Sequence, residues 1–299
     1  MRADLGPVVL TGAGGFVGRG LGARLDRFQA VALSGADWRE RIACANLARA
    51  TVFHLAARVH RPGDRDDAAY LRDNAEKTRV LAEAAAARGA QRVVFLSSIK
   101  VNAEESGARP VGPRDPPAPA DAYARSKLAG EEALAEVARA TGLAFAVVRS
   151  PLVVGAGARG NLLALLRFAD SAWPLPFAAI RNRRTMIQVD DLADLLIRCA
   201  LAGMPGRVYL AGDINAVTTP GLVATLRRAL GRRPRIFAMP VGALEAGAAL
   251  VAHGEAMRRL TRNLEIDVTE TMHSLEWRPQ VGIEAGLERM AAAYRAGAA

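Results

Sequence analysis

Residues Thr11 to Gly18 read TGAGGFVG and lie between a short apolar run and a helical pattern. Glycines at 12, 15 and 18 have the spacing G-x-x-G-x-x-G. Gly12 permits a tight turn, and Gly15 lets a pyrophosphate approach the backbone. Gly18 lets the following helix pack closely on the strand. The helix N-terminus then offers N–H groups and the positive end of its dipole to phosphates. A glycine triplet alone says little. Between strand and helix it points to a dinucleotide-binding βαβ unit, with a purely structural turn as the alternative.

The rest of the first half keeps that rhythm. Pro7–Thr11, Gln29–Leu33, Thr51–Leu55, Arg92–Ser97 and Ala144–Arg149 read as strands, and Phe16–Arg27, Leu71–Arg88 and Ala122–Thr141 as helices. Such alternation implies right-handed βαβ crossovers and a parallel sheet covered on both faces. Prolines at 110, 113, 116, 117 and 119 force a loop. After Gly155 the pattern turns helical: Asn161–Ala169, Val189–Ala202, Pro220–Leu230, Val241–Ala252 and Ile283–Arg295. Between them Arg207–Leu210 is a strand that can return to the sheet, and Trp173–Arg184 is a loop rich in Pro and Arg. The expected fold is α/β, a Rossmann-type doubly wound parallel sheet with a small, mostly helical C-terminal substrate lobe. Residues 1–155 and 185–213 would form the dinucleotide-binding domain, and 156–184 and 214–299 the lobe.

Composition narrows the function. Two cysteines, Cys44 and Cys199, make neither a disulfide framework nor a four-ligand zinc site, and they fit a reducing compartment. No stretch reaches the roughly 18 apolar residues of a membrane span, and no signal peptide is evident, so a cytoplasmic protein is expected. The formal charge of +10 calls for an acidic partner or is a solvated arginine surface. With 5% aromatic residues, none interleaved with the arginines, nucleic acid is not the expected partner. A phosphorylated small molecule is.

Tyr123-Ala-Arg-Ser-Lys127 opens the long helix, and the spacing of four puts Tyr123 and Lys127 on one face, a turn apart. An ammonium beside a phenol favours the phenolate and lowers its pKa from about 10. The phenol could then exchange a proton with a hydroxyl near neutral pH. Ser98 ends the run VVFLSS, at the carboxyl edge of the sheet where ligands bind. Its hydroxyl could polarise the oxygen that Tyr123 protonates. After the second strand stand Ser34 and Gly35 rather than the carboxylate that usually holds the adenosine ribose, so NAD and NADP both remain open. Asp37 is a candidate adenine contact or a surface carboxylate. Only a short stretch separates Ser34 from the strand at Thr51, so the usual third strand and helix look abbreviated.

These segments together resemble the extended short-chain dehydrogenase/reductase superfamily, in its NAD-dependent epimerase/dehydratase branch. The matching pieces are TGAGGFVG, VFHLAARVH, Asn74, FLSSIKVN, YARSK, RSPLVVGAG, NRRTMIQVDDLADLL and SLEWRP. AARVH, SSIKVN, GNLLALL and IRNRR are similar to bacterial UDP-sugar 4-ketoreductases and 4-epimerases of surface-polysaccharide synthesis, in particular the UDP-N-acetylquinovosamine type.

The resemblance implies a nucleotide-sugar oxidoreductase, with a non-catalytic nucleotide sensor as the alternative from another class. It implies that Tyr123 is the general acid/base, that Lys127 holds the nicotinamide ribose and tunes Tyr123, and that Ser98 binds the C4 oxygen. NAD or NADP would meet Gly12, Gly15, Phe16, Val17, Gly18, Leu55, Ala56 and Ala57, with Pro151 at the nicotinamide amide. Asn74 would support the nicotinamide side, or be a structural residue bonded to backbone. Asn161 and Arg184 would hold the diphosphate of a UDP-sugar, a task suited to the planar guanidinium fork. His60 would reach the sugar or serve structure, and Leu175 and Pro176 would wall the uracil or merely fill a hydrophobic loop. No metal is implied, and a second copy of the chain is a candidate partner. Asn102-Ala103 departs from the Tyr-Gly of many relatives and alters the pocket floor.

Overall fold

The computed structural model describes residues 5–59, 66–250 and 254–297. Its strands are β1 (Val8–Thr11), β2 (Gln29–Val31), β3 (Thr51–His54), β4 (Arg92–Ser98), β5 (Phe145–Ser150), β6 (Leu152–Val154), β7 (Met186–Gln188) and β8 (Arg207–Leu210). The early helices are α1 (Phe16–Gly22), α2 (Trp38–Ala43), α3 (Asp67–Leu71), α4 (Lys77–Ala87), α5 (Ala122–Thr141), α6 (Asn161–Ala169) and α7 (Val189–Ala202). Then come α8 (Thr219–Ala229), α9 (Val241–Leu250), α10 (Gly254–Thr261), α11 (Thr269–Leu275) and α12 (Ile283–Arg295).

Six strands form one parallel sheet in the order β2-β1-β3-β4-β5-β8. The return of the 207–210 strand is therefore met: Val147 pairs with Val208. Strand residues point alternately to opposite faces, and these strands are apolar on both. Val9, Val52, Val93, Phe95 and Val147 pack under α2, α4 and α5 with Ile42, Leu81 and Leu134. Leu10, Phe53, Val94, Ala146 and Val148 pack on the other face against Leu21 of α1 and Leu192, Leu195 and Leu196 of α7. Each such buried Val, Leu, Ile or Phe side chain contributes about 1.5–3 kcal/mol. A third core joins α6, α8, α9 and α12 with Phe177, Ile180 and Met186.

Several boundaries differ from the sequence expectation. The first helix stops at Gly22 instead of Arg27. Gly20 and Gly22 weaken it, and the Phe28 ring packs 3.1 Å from where a Gly22 side chain would start. The helix expected from Leu71 begins at Asp67, where Asp66 caps the Ala69 amide at 2.9 Å, and Arg72–Glu76 form a π turn. Between Ser34 and Thr51 there is only the short α2. The parallel pair β6–β7, with Val153 opposite Ile187, and the helices α10 and α11 are additional elements. Cys199 is buried in the sheet core and Cys44 is exposed, and both are free thiols. Among the described residues no helix is long and apolar enough to cross a membrane.

Candidate active site

The glycine turn is built by close approach. Gly12 has φ +74°, and a Cβ there would lie 2.6 Å from the Ala56 amide. A Cβ on Gly18 would overlap the Gly12 carbonyl. Leu55 and Ala56 thus lie directly beside the turn, with Ala57 next in the chain, and Thr11 Oγ1 accepts from the Ala56 amide at 3.2 Å. No side chain caps α1 at Gly15, and its first turn holds no carboxylate. The Phe16 and Val17 side chains pack into the cores on either side, which leaves their backbone to line the turn.

A buried polar chain runs from this turn toward α5. Thr11 bonds His54 Nδ1 at 2.7 Å, and His54 Nε2 bonds Thr78 Oγ1 at 2.8 Å. Thr78 donates to the Asn74 carbonyl at 2.6 Å. Asn74 Nδ2 donates to Ser126 Oγ at 2.9 Å, and Ser126 donates to the Tyr123 carbonyl at 2.8 Å. Burial and the neighbouring Lys127 push His54 down to about 3, so the ring is neutral. Asn74 also clamps the Arg58 backbone, accepting from its amide at 2.7 Å and donating to its carbonyl at 3.0 Å. Its side chain is thus shared between the Arg58 backbone and Ser126.

Ser98 closes β4 opposite Ser150 of β5, at the carboxyl edge of the sheet. Asp121 caps α5 by accepting from the Ala124 amide at 2.7 Å, which fixes Tyr123 in the first turn. Ser98 is hydrogen-bonded to the Tyr123 phenol. The Tyr70 ring meets Tyr123 edge-on at 6.4 Å, and the Lys127 ammonium lies 4.1 Å from the centre of the Phe95 ring. The expected lowering of the phenol by its lysine is not what this geometry gives. Burial pushes Tyr123 up to about 12, against the Ser98 bond, and Asp121 and Tyr70 add to the rise. Burial also pushes Lys127 down to about 7, against the pull of Glu131. Lys127 is buried and Tyr123 half-buried, and for both the loss of water outweighs their neighbours.

Ser98, Pro151, Asn161 and Arg184 all line a cavity of about 890 Å³. Arg184 is held by strand-like bonds on both sides: its amide reaches the Val217 carbonyl at 2.8 Å, and Thr185 reaches Leu264 at 2.8 Å. Its guanidinium donates to the Arg262 carbonyl at 3.0 Å. Burial, with Arg259 nearby, lowers Arg184 to about 10. Arg258, Arg259 and Arg262 line the same cavity. They are not among the residues expected from sequence, although the run RRLTR after the apolar stretch carries the signal.

Other expected residues lie elsewhere. Leu175 is packed in the lobe core, 1% exposed, and Phe177 lines the cavity where Leu175 and Pro176 do not. Arg183 pairs with Glu265 at 2.7 Å. The Asp37 carboxylate is taken by Arg41, which also donates to the Ala32 carbonyl at 2.7 Å, so it stiffens the turn after β2. His60 falls outside the described residues.

Comparison with known proteins settles the family. The model of the NAD dependent epimerase/dehydratase family matches residues 8–212. The chain belongs to that family. Within the epimerase/dehydratase family it is 30% identical to the UDP-glucose 4-epimerase of Vibrio cholerae, over 81% of this chain and 76% of that one. It is 27% identical to the dTDP-6-deoxy-L-talose 4-dehydrogenase (NAD(P)(+)) of Kitasatospora kifunensis, over 91% of each. Its fold matches the RMD protein of Pseudomonas aeruginosa, solved with NADPH, at a TM-score of 0.79 and 20% identity, covering 98% of this chain and all of the other.

Proposed function

We propose that this epimerase/dehydratase family member is an NAD(P)-dependent reductase of a nucleotide-activated 4-keto sugar. The substrate it fits best is a UDP-4-keto-6-deoxy-N-acetylhexosamine of surface-polysaccharide synthesis, handled in the cytoplasm. One observation carries the reading. A single cavity is lined by Ser98, which bonds Tyr123, and by Arg184, an arginine beside a second cation. The first pair suits a carbonyl oxygen, and the second suits a diphosphate.

The cradle at Gly12 and Gly18, where no side chain fits, suits a dinucleotide pyrophosphate. When bound, the reduced nicotinamide supplies the hydride that C4 gains. Ser98 orients the C4 oxygen, and Tyr123 gives it a proton that solvent later restores. A phenol held near 12 is protonated at neutral pH, the form that donates during reduction. Lys127 holds the nicotinamide ribose, and Asn74 braces the Arg58 segment beside it. In this reading residues 1–155 and 185–213 bind the dinucleotide and 156–184 and 214–299 the sugar, with Leu275 and Trp277 of the second set packed into a sheet core.

Gly18→Ala should weaken NAD(P) binding at least roughly tenfold, because the added methyl forces the turn open. Calorimetric titration reads this, and unchanged affinity would remove the turn from the cofactor site. The activity test is incubation with UDP- and dTDP-linked 4-keto sugars plus NADH or NADPH. Reduced cofactor should disappear in step with the keto sugar, with the product stereochemistry read by NMR. The likeness to a UDP-glucose 4-epimerase favours a second reading, oxidation and re-reduction of C4 with retained NAD. Interconversion of UDP-glucose and UDP-galactose without added cofactor would establish that reading instead. A protein that binds NAD(P) and turns over neither set would be a sensor.

A further inference from the structure

Behind the Tyr123–Lys127 face lies a buried ion pair. Glu131 follows Lys127 by one turn of α5, and Arg149 comes from β5. Each side chain is only 7% exposed. The Arg149 fork meets the Glu131 carboxylate through Nε at 3.0 Å and through Nη2 at 2.6 Å. Ser97 of β4 donates to the same carboxylate. The remaining Arg149 nitrogen donates to Asn102 Oδ1 at 2.9 Å, and Asn102 Nδ2 donates to the Asp115 carbonyl at 3.0 Å. Asn102 lines the substrate cavity.

Such a pair is a poor stabiliser, because desolvation offsets most of its attraction. Its geometry suits another job. Of the three lysines in the chain, Lys77 pairs with Asp73 at 2.7 Å and Lys100 with Glu104 at 2.8 Å. Lys127 instead sits over Phe95, with Glu131 one helical turn away on its own face.

We propose that Glu131 is a positioning residue for Lys127: Arg149 and Ser97 fix its carboxylate one turn from the lysine, and Asn102 carries the same clamp to the cavity wall. The proposal rests on the reading that Lys127 serves the reduction. Among the described residues, groups from three elements stand near Lys127. His54 of β3 is neutral, Phe95 of β4 offers a ring face, and Tyr123 on α5 is protonated. Glu131 is the group that favours the ammonium, and burial opposes it toward about 7. A lysine so balanced is sensitive to one fixed charge.

The test is ¹⁵N NMR titration of the lysine side-chain amines in the full chain, with and without NADPH. Three signals are expected, and Lys77→Arg and Lys100→Arg assign them. Glu131→Gln keeps the shape and one acceptor oxygen but removes the charge, so the Lys127 midpoint should fall by about one unit. Glu131→Asp should return most of that shift. Any fall of turnover with rising pH should then begin at lower pH in Glu131→Gln. If that variant does not fold, the double substitution Glu131→Gln with Arg149→Met removes both buried charges at little cost to stability and should shift the midpoint the same way. An unmoved midpoint, even with a lowered melting temperature, overturns the proposal and leaves a packing pair. A midpoint that moves while turnover ignores it upholds the coupling and overturns the catalytic reading of Lys127.

Discussion

Tyr123→Phe should leave the protein folded and NAD(P) affinity unchanged while kcat falls by roughly 10²–10⁴, the worth of a positioned proton donor. The change removes one oxygen and keeps the ring, so the edge-on contact with Tyr70 survives. The α5 N-terminus survives as well, because Asp121 caps it and Ser126 bonds the Tyr123 carbonyl, both independently of the phenol. What disappears is the bond to Ser98 and the proton. The loss should appear in kcat with little change in KM, because Arg184 at the cavity wall is untouched. Steady-state kinetics beside cofactor titration separate the two. Near-wild-type turnover would remove Tyr123 from the chemistry.

The strands were legible because a parallel sheet buried on both faces leaves uninterrupted apolar runs such as VVLT and RVVFLSS. Helices with strong 3.6-residue patterning were legible too: Ala122–Thr141, Asn161–Ala169 and Val189–Ala202 begin and end where the sequence placed them. The short strands β6 and β7 were not. Leu152–Val154 and Met186–Gln188 pair with each other across more than thirty residues, and no local period announces that. The site divides in the same way. Gly12, Ser98, Tyr123 and Lys127 are read from spacing within one motif. The Glu131–Arg149 pair, the bridge from Thr11 through His54 to Asn74, and the meeting of Arg184 with Arg259 join distant segments. Sequence spacing carries no record of such contacts. The sign of the phenol shift failed for a related reason: a neighbouring lysine can be named from sequence, but the loss of water from both groups cannot.

Arg184→Ala should weaken binding of UDP by roughly 1.5–3 kcal/mol, the usual worth of a hydrogen bond to a charged group. That is on the order of a 10- to 100-fold rise in Kd. The effect is electrostatic. Arg184 is half-buried, its guanidinium is lowered to about 10, and its nearest charged influence is another arginine. Two cations so placed repel each other in the free protein, and a diphosphate between them relieves that repulsion as well as forming new bonds. Arg181 and Arg183 do not share the role, since Arg183 is spent on Glu265 and neither lines the cavity. Their charge adds only to the general attraction of a +10 surface for anions. The Arg184 effect should therefore persist at moderate salt, where screening removes the surface term first. NAD(P) affinity should hardly move, because the turn at Gly12 is not part of the cavity lining. Separate titration of UDP and cofactor into both proteins decides the matter. Equal UDP affinity in both makes Arg184 a structural strut for the Arg262 carbonyl, and no UDP binding to either removes the nucleotide-sugar reading itself.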